Sequence, residues 1–193
     1  MTPDTSPFER QLIEECQRGS VKHQESLYKH FFGFAMGITL RYTSARDEAM
    51  SVVNDSFMKV FATIGRYVFE TSFRGWLRRI VVNTALDYYR RSVKYQTSTL
   101  RLDEADSQVA EATDAGIISQ LTAEDILALL AQLPAQYRIV FNLYELEGYS
   151  HEEIAGQLGL SVSTSRVYLT RAKEQLGRLV KHHFHSIDGR FSR

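Results

Sequence analysis

The chain contains one cysteine, no net charge and no long apolar run. As the only cysteine, Cys16 cannot form an internal disulfide, so an oxidising compartment gains no support and the residue reads as a small buried hydrophobe. No stretch approaches the length needed to span a bilayer, and the N-terminus lacks a basic start followed by an apolar run. The expectation is a soluble cytoplasmic protein without membrane insertion. Reaction chemistry is scarce too. There is no glycine-rich phosphate loop, nucleophile elbow or ordered pair of catalytic carboxylates. His151-Glu152-Glu153-Ile154-Ala155 starts like a zinc-protease helix, but Ala155 stands where the second ligand belongs. His182, His183 and His185 are irregularly spaced in a terminal segment that reads as a flexible tail rather than a metal site. These absences point to a binder rather than an enzyme, with no cofactor and no metal.

The balance of 23 basic against 23 acidic residues conceals a segregation. Arg66, Arg74, Arg78, Arg79, Arg90, Arg91, Lys94 and Arg101 face only Glu70 and Asp87 in one segment. The next, from Leu102 to Leu127, carries Asp103, Glu104, Asp106, Glu111, Asp114, Glu124 and Asp125 with no Lys or Arg. A chain of 193 residues accommodates one to two domains with packed cores.

The most informative stretch is Ser150 to Lys173. Ser150 followed by Glu153 forms a capping box, and Ile154, Ala155 and Leu158 recur at helical spacing. Gly159 can take the positive φ that ends one helix, and Ser161 can cap the next. Val162, Ser165, Leu169, Ala172 and Leu176 then share one stripe, assigned to the core. Ser163, Arg166, Val167, Thr170, Arg171 and Lys173 project from the other side, a set suited to base edges and phosphates. The pattern reads as a helix-turn-helix, against the plainer reading of a solvated helix in a small bundle.

Helical patterns also fill the first half. A short helix runs to about Arg18, a break falls at Gly19-Ser20, and a longer helix passes through Phe31, Phe32 and Phe34. A third is expected from a Ser44 cap, with Asp47 completing the box and Ala49, Val53, Phe57, Val60 and Ile64 buried. Asp47, Glu48, Ser51, Asn54, Asp55 and Met58 lie elsewhere on it. Met58 among carboxylates and an amide fits a docking surface, or a solvated face with one stray apolar residue. A fourth helix, Ser72 to Arg91, has Phe73, Leu77, Ile80, Thr84 and Tyr88 as its core stripe. Arg74, Arg78, Arg79, Asn83 and Arg90 surround Val82 and Leu86 on a cationic, partly apolar face. That face suits a groove that tracks a nucleic-acid backbone, with Trp76, Tyr67 and Phe69 either as stacking platforms or as core.

No period is sustained from Ser92 to Gln120, whose acidic, polar content reads as a flexible linker. Helices resume at a Thr122 cap with Asp125, carrying Ile126, Leu127, Leu129, Leu130 and Leu133. Pro134 suits the first turn of the next helix, which ends near Gly148. The expected architecture is all-α: two small helical domains, 1–91 and 122–181, joined by an acidic linker over 92–121 and followed by a tail over 182–193.

Three blocks in this order, ARDEAMSVVNDSFMKVF, FRGWLRRIVVNTALDYYRR and LPAQYRIVFNLYELEGYSHEEIAGQLGLSVSTSRVYLTRAKEQL, resemble bacterial RNA polymerase sigma factors of the extracytoplasmic-function (ECF) type. The resemblance covers about Phe8 to Leu179. It implies a dissociable transcription-initiation subunit that binds core RNA polymerase, directs it to promoters and promotes DNA opening without breaking a covalent bond. Domain two would read and open the minus-10 element through Tyr67, Arg74, Trp76, Arg78, Arg79, Asn83 and Arg90, trapping an unstacked base. Domain four would read the minus-35 element as duplex through Ser163, Thr164, Arg166, Val167, Thr170, Arg171 and Lys173. Asp47, Glu48, Asn54, Asp55 and Met58 would dock on the clamp of the polymerase largest subunit, and domain four on the flap of the second-largest. The resemblance also admits an anti-sigma factor as a partner. Where relatives carry a glutamine, this chain has Asn54; Val167 and Tyr168 replace a usual serine and arginine, so the upstream target cannot be copied from relatives. The acidic linker would thread toward the RNA path, or simply tether the domains.

Two other classes compete. An autonomous helix-turn-helix regulator would bind duplex operator DNA as a dimer, without polymerase. A nucleic-acid enzyme such as a recombinase would need a nucleophile or metal site that the sequence lacks.

Overall fold

The computed structural model describes residues 5–96 and 122–191, and those residues are helical with no strand among them. The chain divides into two compact units, residues 1–96 and 97–193.

In the first unit, α1 (Pro7–Gln17) starts from a reciprocal cap. Ser6 Oγ accepts the Glu9 N–H at 3.2 Å, and Glu9 Oε2 accepts the Ser6 N–H at 3.2 Å. Gly19 adopts φ +86°, a left-handed conformation costly for residues with a Cβ, and the chain folds back into α2 (Val21–Thr39). Helix α3 (Arg46–Thr63) is capped differently from the Ser44 start expected above. Its N-cap is Ala45, and the Glu48 carboxylate reaches back to accept the N–H groups of Ser44 (3.1 Å) and Ala45 (3.4 Å). A single-turn 3-10 helix, Ile64–Arg66, and a loop then lead to α4 (Phe73–Gln96).

Helix α4 packs on both α2 and α3, so its buried face is wider than one helical stripe. Val82 and Leu86, expected on an outward cationic face, are each 1% exposed and belong to the core. Ile80 and Tyr88, expected inside, are only half-buried. The helix also runs past Arg91 to Gln96, into the segment assigned to the linker. Phe31, Phe57 and Phe73 are fully buried, with the Phe31 and Phe73 rings 5.0 Å apart. Burying one such side chain contributes about 1.5–3 kcal/mol, against about 0–1 kcal/mol for an exposed ion pair, so apolar packing and not the surface charges holds this unit together. Cys16 is 2% exposed, and burial, helped by Glu15, pushes its thiol up to about 11, which suits a packing residue rather than a nucleophile.

In the second unit, Thr122 caps α5 (Ala123–Ala131) by accepting the Asp125 N–H at 3.1 Å. Pro134 is the N-cap of α6 (Ala135–Phe141) rather than part of its first turn. A π-helical turn, Asn142–Leu146, follows, and buries Asn142 and Leu143. Then come α7 (His151–Leu158) and α8 (Val162–Phe191). Helices α5, α6 and α7 all pack on α8. Leu130, Leu133 and Ala172 form one core cluster, with Tyr137, Phe141, Leu176 and Leu179 against it. Residues 182–191, expected as a tail, continue α8, which runs on beyond Leu176, Leu179 and the buried Val180. The remainder of the acidic segment, 97–121, lies outside the described residues.

Candidate nucleic-acid interface

Two short caps and a glycine aim the start of α8 outward. Ser150 and Glu153 cap α7 through hydrogen bonds of 3.2 and 2.8 Å, and the Ser150 N–H and hydroxyl hold the Glu153 carboxyl below its ordinary value. Gly159 ends that helix at φ +68°, and Ser161 Oγ then accepts the Thr164 N–H at 3.0 Å. The crossing of the two helices is tight: Ala155 and Ser165 are buried, and Ser165 Oγ lies 3.0 Å from His151 Nδ1. Leu169 and Ala172 turn inward as expected.

On the outward side Ser163, Arg166, Val167, Thr170 and Lys173 are exposed, Val167 to 46%. Arg166 lies 3.8 Å from Glu152, and Lys173 Nζ lies 2.7 Å from Glu145. Exposed pairs of this kind contribute about 1 kcal/mol or less, so both cations can be handed to a phosphate at small cost. Thr164 is half-buried and spends its hydroxyl on Ser161 at 2.8 Å. Arg171 is half-buried as well, and its Nη1 donates to the Tyr137 hydroxyl at 3.2 Å. Its guanidinium thus belongs partly to the fold.

The α4 face is narrower than the sequence suggests. Arg79 and Asn83 are exposed and Arg78 is half-buried. Arg74 is drawn to the other side, where its Nη2 lies 3.2 Å from Glu9 Oε1 and its guanidinium sits 5.4 Å from the rings of both Phe31 and Phe34. Arg90 pairs with Asp87, which Lys59 Nζ also contacts at 2.9 Å. Tyr67 is 5% exposed and donates its hydroxyl to the Thr71 carbonyl at 2.6 Å, so it closes the loop from inside and offers no stacking face. Trp76 remains half-buried, its ring 5.3 Å from Tyr67 and 5.4 Å from Phe73. One of its faces therefore rests on core aromatics.

On α3, Asp47, Asn54, Asp55 and Met58 are exposed, Met58 to 72%. Asn54 Oδ1 accepts from the Tyr28 hydroxyl at 2.9 Å, and Asp55 lies 3.5 Å from Arg91. Glu48 is committed to the start of its own helix. Asp55, Met58, Lys59, Asp87, Arg90 and Arg91 line one cleft between α3 and α4.

Several contacts behind this surface were not foreseen from sequence. The buried Glu9 carboxylate meets His30 Nε2 at 3.0 Å as well as Arg74, and Gln17 Nε2 donates to the carbonyls of Ile64 (3.1 Å) and Tyr67 (2.8 Å). Burial alone would raise the Glu9 pKa, but hydrogen bonds from His30 and the Ser6 N–H, together with Arg74, hold it below its ordinary value. The partners are up to 65 residues apart, and no local spacing announces such pairs.

Comparison with known proteins gives the family. The family model described as Sigma-70 region 2 matches residues 27–95, and that described as Sigma-70, region 4 matches residues 123–176. The chain is 25% identical over 185 residues to the RNA polymerase sigma-H factor of Pseudomonas aeruginosa, covering 92% of this chain and 96% of that one. It is 28% identical over 177 residues to the ECF RNA polymerase sigma-E factor of Haemophilus influenzae, covering 86% and 91%. Among solved structures, the sigma factor RpoE in complex with the anti-sigma factor NepR from Bartonella quintana aligns with a TM-score of 0.49 at 21% identity, covering 83% of this chain and 98% of that one. With both halves matched in order, the chain belongs to the RNA polymerase sigma factors of the ECF type.

Proposed function

We propose that the two units grip two different promoter elements, one as duplex and one as opened strand. The observation that carries this is that each unit presents one basic helix face on an apolar core: the exposed Arg166, Thr170 and Lys173 on α8, and the exposed Arg79 and Asn83 with the half-buried Arg78 on α4 beside Trp76. Helix α8 enters the major groove of the minus-35 element. Ser163, Arg166 and Val167 approach bases and Lys173 a phosphate, while Arg171 reaches the DNA only by leaving Tyr137. In the first unit, the 64–72 loop and the Trp76 edge receive an unstacked base of the minus-10 element. Capture offsets the few kcal/mol of lost stacking, and Arg78 and Arg79 hold the backbone. Arg74 and Tyr67 support this surface rather than touch DNA, since both are engaged within the fold.

The α3 face with Asp47, Asn54, Asp55 and Met58 is the polymerase-docking surface in this reading, with Met58 as its apolar centre and Glu48 as a cap. The polymerase does all bond-making; this chain positions DNA. Such a subunit works where the polymerase is, in the cytoplasm. The test is permanganate footprinting of holoenzyme on a promoter selected from a genomic pool. Arg79→Ala with Asn83→Ala should lower thymine reactivity in the minus-10 region while core binding is kept. An equal loss of core binding would contradict the assignment.

A further inference from the structure

The segment that joins α3 to α4 packs on α1 as well as on α3. Within it the Tyr67 hydroxyl donates to the Thr71 carbonyl and the Tyr67 N–H to the Ile64 carbonyl, while Val68 is 57% exposed. Two further ties come from α1. Gln17 is half-buried, and its single side-chain amide nitrogen donates to two carbonyls: that of Ile64, at the first residue of the 3-10 turn, and that of Tyr67, the turn's C-cap. The Ile64 carbonyl also accepts the Tyr67 N–H at 3.0 Å, which closes the 3-10 turn, so the Gln17 amide ties both the start and the cap of that turn to α1. Six residues, 67–72, separate that turn from α4, and over this stretch Arg10 of α1 lays its guanidinium 4.5 Å from the centre of the Phe69 ring. The two contacts hold the start and the middle of the same loop. Ring contacts of Tyr67 with Phe69, Phe73 and Trp76, at 5.2–5.3 Å, then carry the position of the turn to the Trp76 edge.

We infer that Gln17 and Arg10 are positioning residues for base capture: α1 braces the 64–72 loop in its receiving shape, so base discrimination at the opened element depends on a helix that touches no DNA. This rests on the reading that the loop receives a minus-10 base. A brace acts through geometry, since a receiving pocket displaced by about 1 Å loses much of its selectivity for the bound group. Gln17→Glu keeps the size of the side chain and replaces the donor with an acceptor facing two carbonyls. Gln17→Met keeps the reach and removes the donor. Arg10→Gln removes the cation over Phe69 from an exposed site.

The test uses holoenzyme reconstituted from the full chain and core polymerase on a promoter selected from a genomic pool, with all four bases placed in turn at each minus-10 position. The readout is the ratio of open-complex formation between the best and worst base, which a general loss of active protein does not move. Gln17→Glu and Gln17→Met should lower that ratio by about tenfold at one position, and Arg10→Gln by less, while discrimination at the minus-35 element is kept. A ratio unchanged in all three variants overturns the brace. A double variant in the loop itself, Val68→Ala with Glu70→Ala, separates the two ideas. If it lowers the ratio and the α1 variants do not, the loop captures the base unaided. If it too leaves the ratio unchanged, the loop is not the receiving site and the brace falls with it. Should Gln17→Glu fold poorly, Gln17→Met and Arg10→Gln give the same reading.

Discussion

Arg166 and Arg171 both come from α8, but they are held differently. Arg166 is exposed and lies 3.8 Å from Glu152, whereas Arg171 is half-buried and bonds the Tyr137 hydroxyl at 3.2 Å. Replacing Arg166 with Ala should weaken binding to the upstream element by about 1–3 kcal/mol and relax one base preference, with the melting temperature unchanged. Arg171→Ala should lower the melting temperature as well, because it leaves Tyr137 without that donor. Thermal melts beside transcription from a panel of mutated upstream elements check both, and identical behaviour of the two variants would contradict the distinction. Gly159 is a residue of a different kind. At φ +68° it makes the turn possible, and Gly159→Ala should cost about 1–2 kcal/mol in unfolding free energy even though nothing lies within 4 Å of an added Cβ. Chemical denaturation measures that difference, and a neutral result would show that the turn relaxes.

At the level of elements, Glu9 ties the start of α1 to His30 of α2 and Arg74 of α4. Its pKa is lowered in the fold, so its contribution is present above the ordinary glutamate value of 4.5 and fades as pH falls through the lower folded value. Wild type should therefore exceed Glu9→Gln in melting temperature at neutral pH, and the gap should close under acid conditions below that ordinary value. A gap that persisted there would mean that packing, not the charge, joins these helices. The helices themselves were readable in the sequence wherever local chemistry sets them. The Ser150 and Thr122 capping boxes, the Gly159 stop and the inward Ser165, Leu169 and Ala172 all stand where spacing puts them. What could not be read was decided by distant neighbours. Val82 and Leu86 are buried because α4 meets two helices, and a single-helix period cannot show a second partner. Arg74 stays at the surface but turns to Glu9, 65 residues away, and the Tyr67 hydroxyl closes onto Thr71, so of the two places open to it Tyr67 takes the core.

For the molecule as a whole, the charge balance bears on the proposed grip on two promoter elements. With 23 basic and 23 acidic residues, the chain has no net attraction for DNA, and its cationic faces lie in separate units. In the proposed reading each face would make only a few phosphate contacts, and the acidic residues from Asp103 to Asp125 would further oppose non-specific binding, which grows with the number of such contacts. The free protein should accordingly bind promoter DNA weakly, and specificity should appear when polymerase holds both units on one promoter, where the second contact becomes intramolecular. The most direct measurement is footprinting and transcription on a genomic promoter pool with and without core polymerase. A discrete promoter set and protected minus-35 and minus-10 elements are expected only when chain and core are present together. A specific footprint by the chain alone, with no stimulation of core polymerase, would contradict it and identify an autonomous regulator instead.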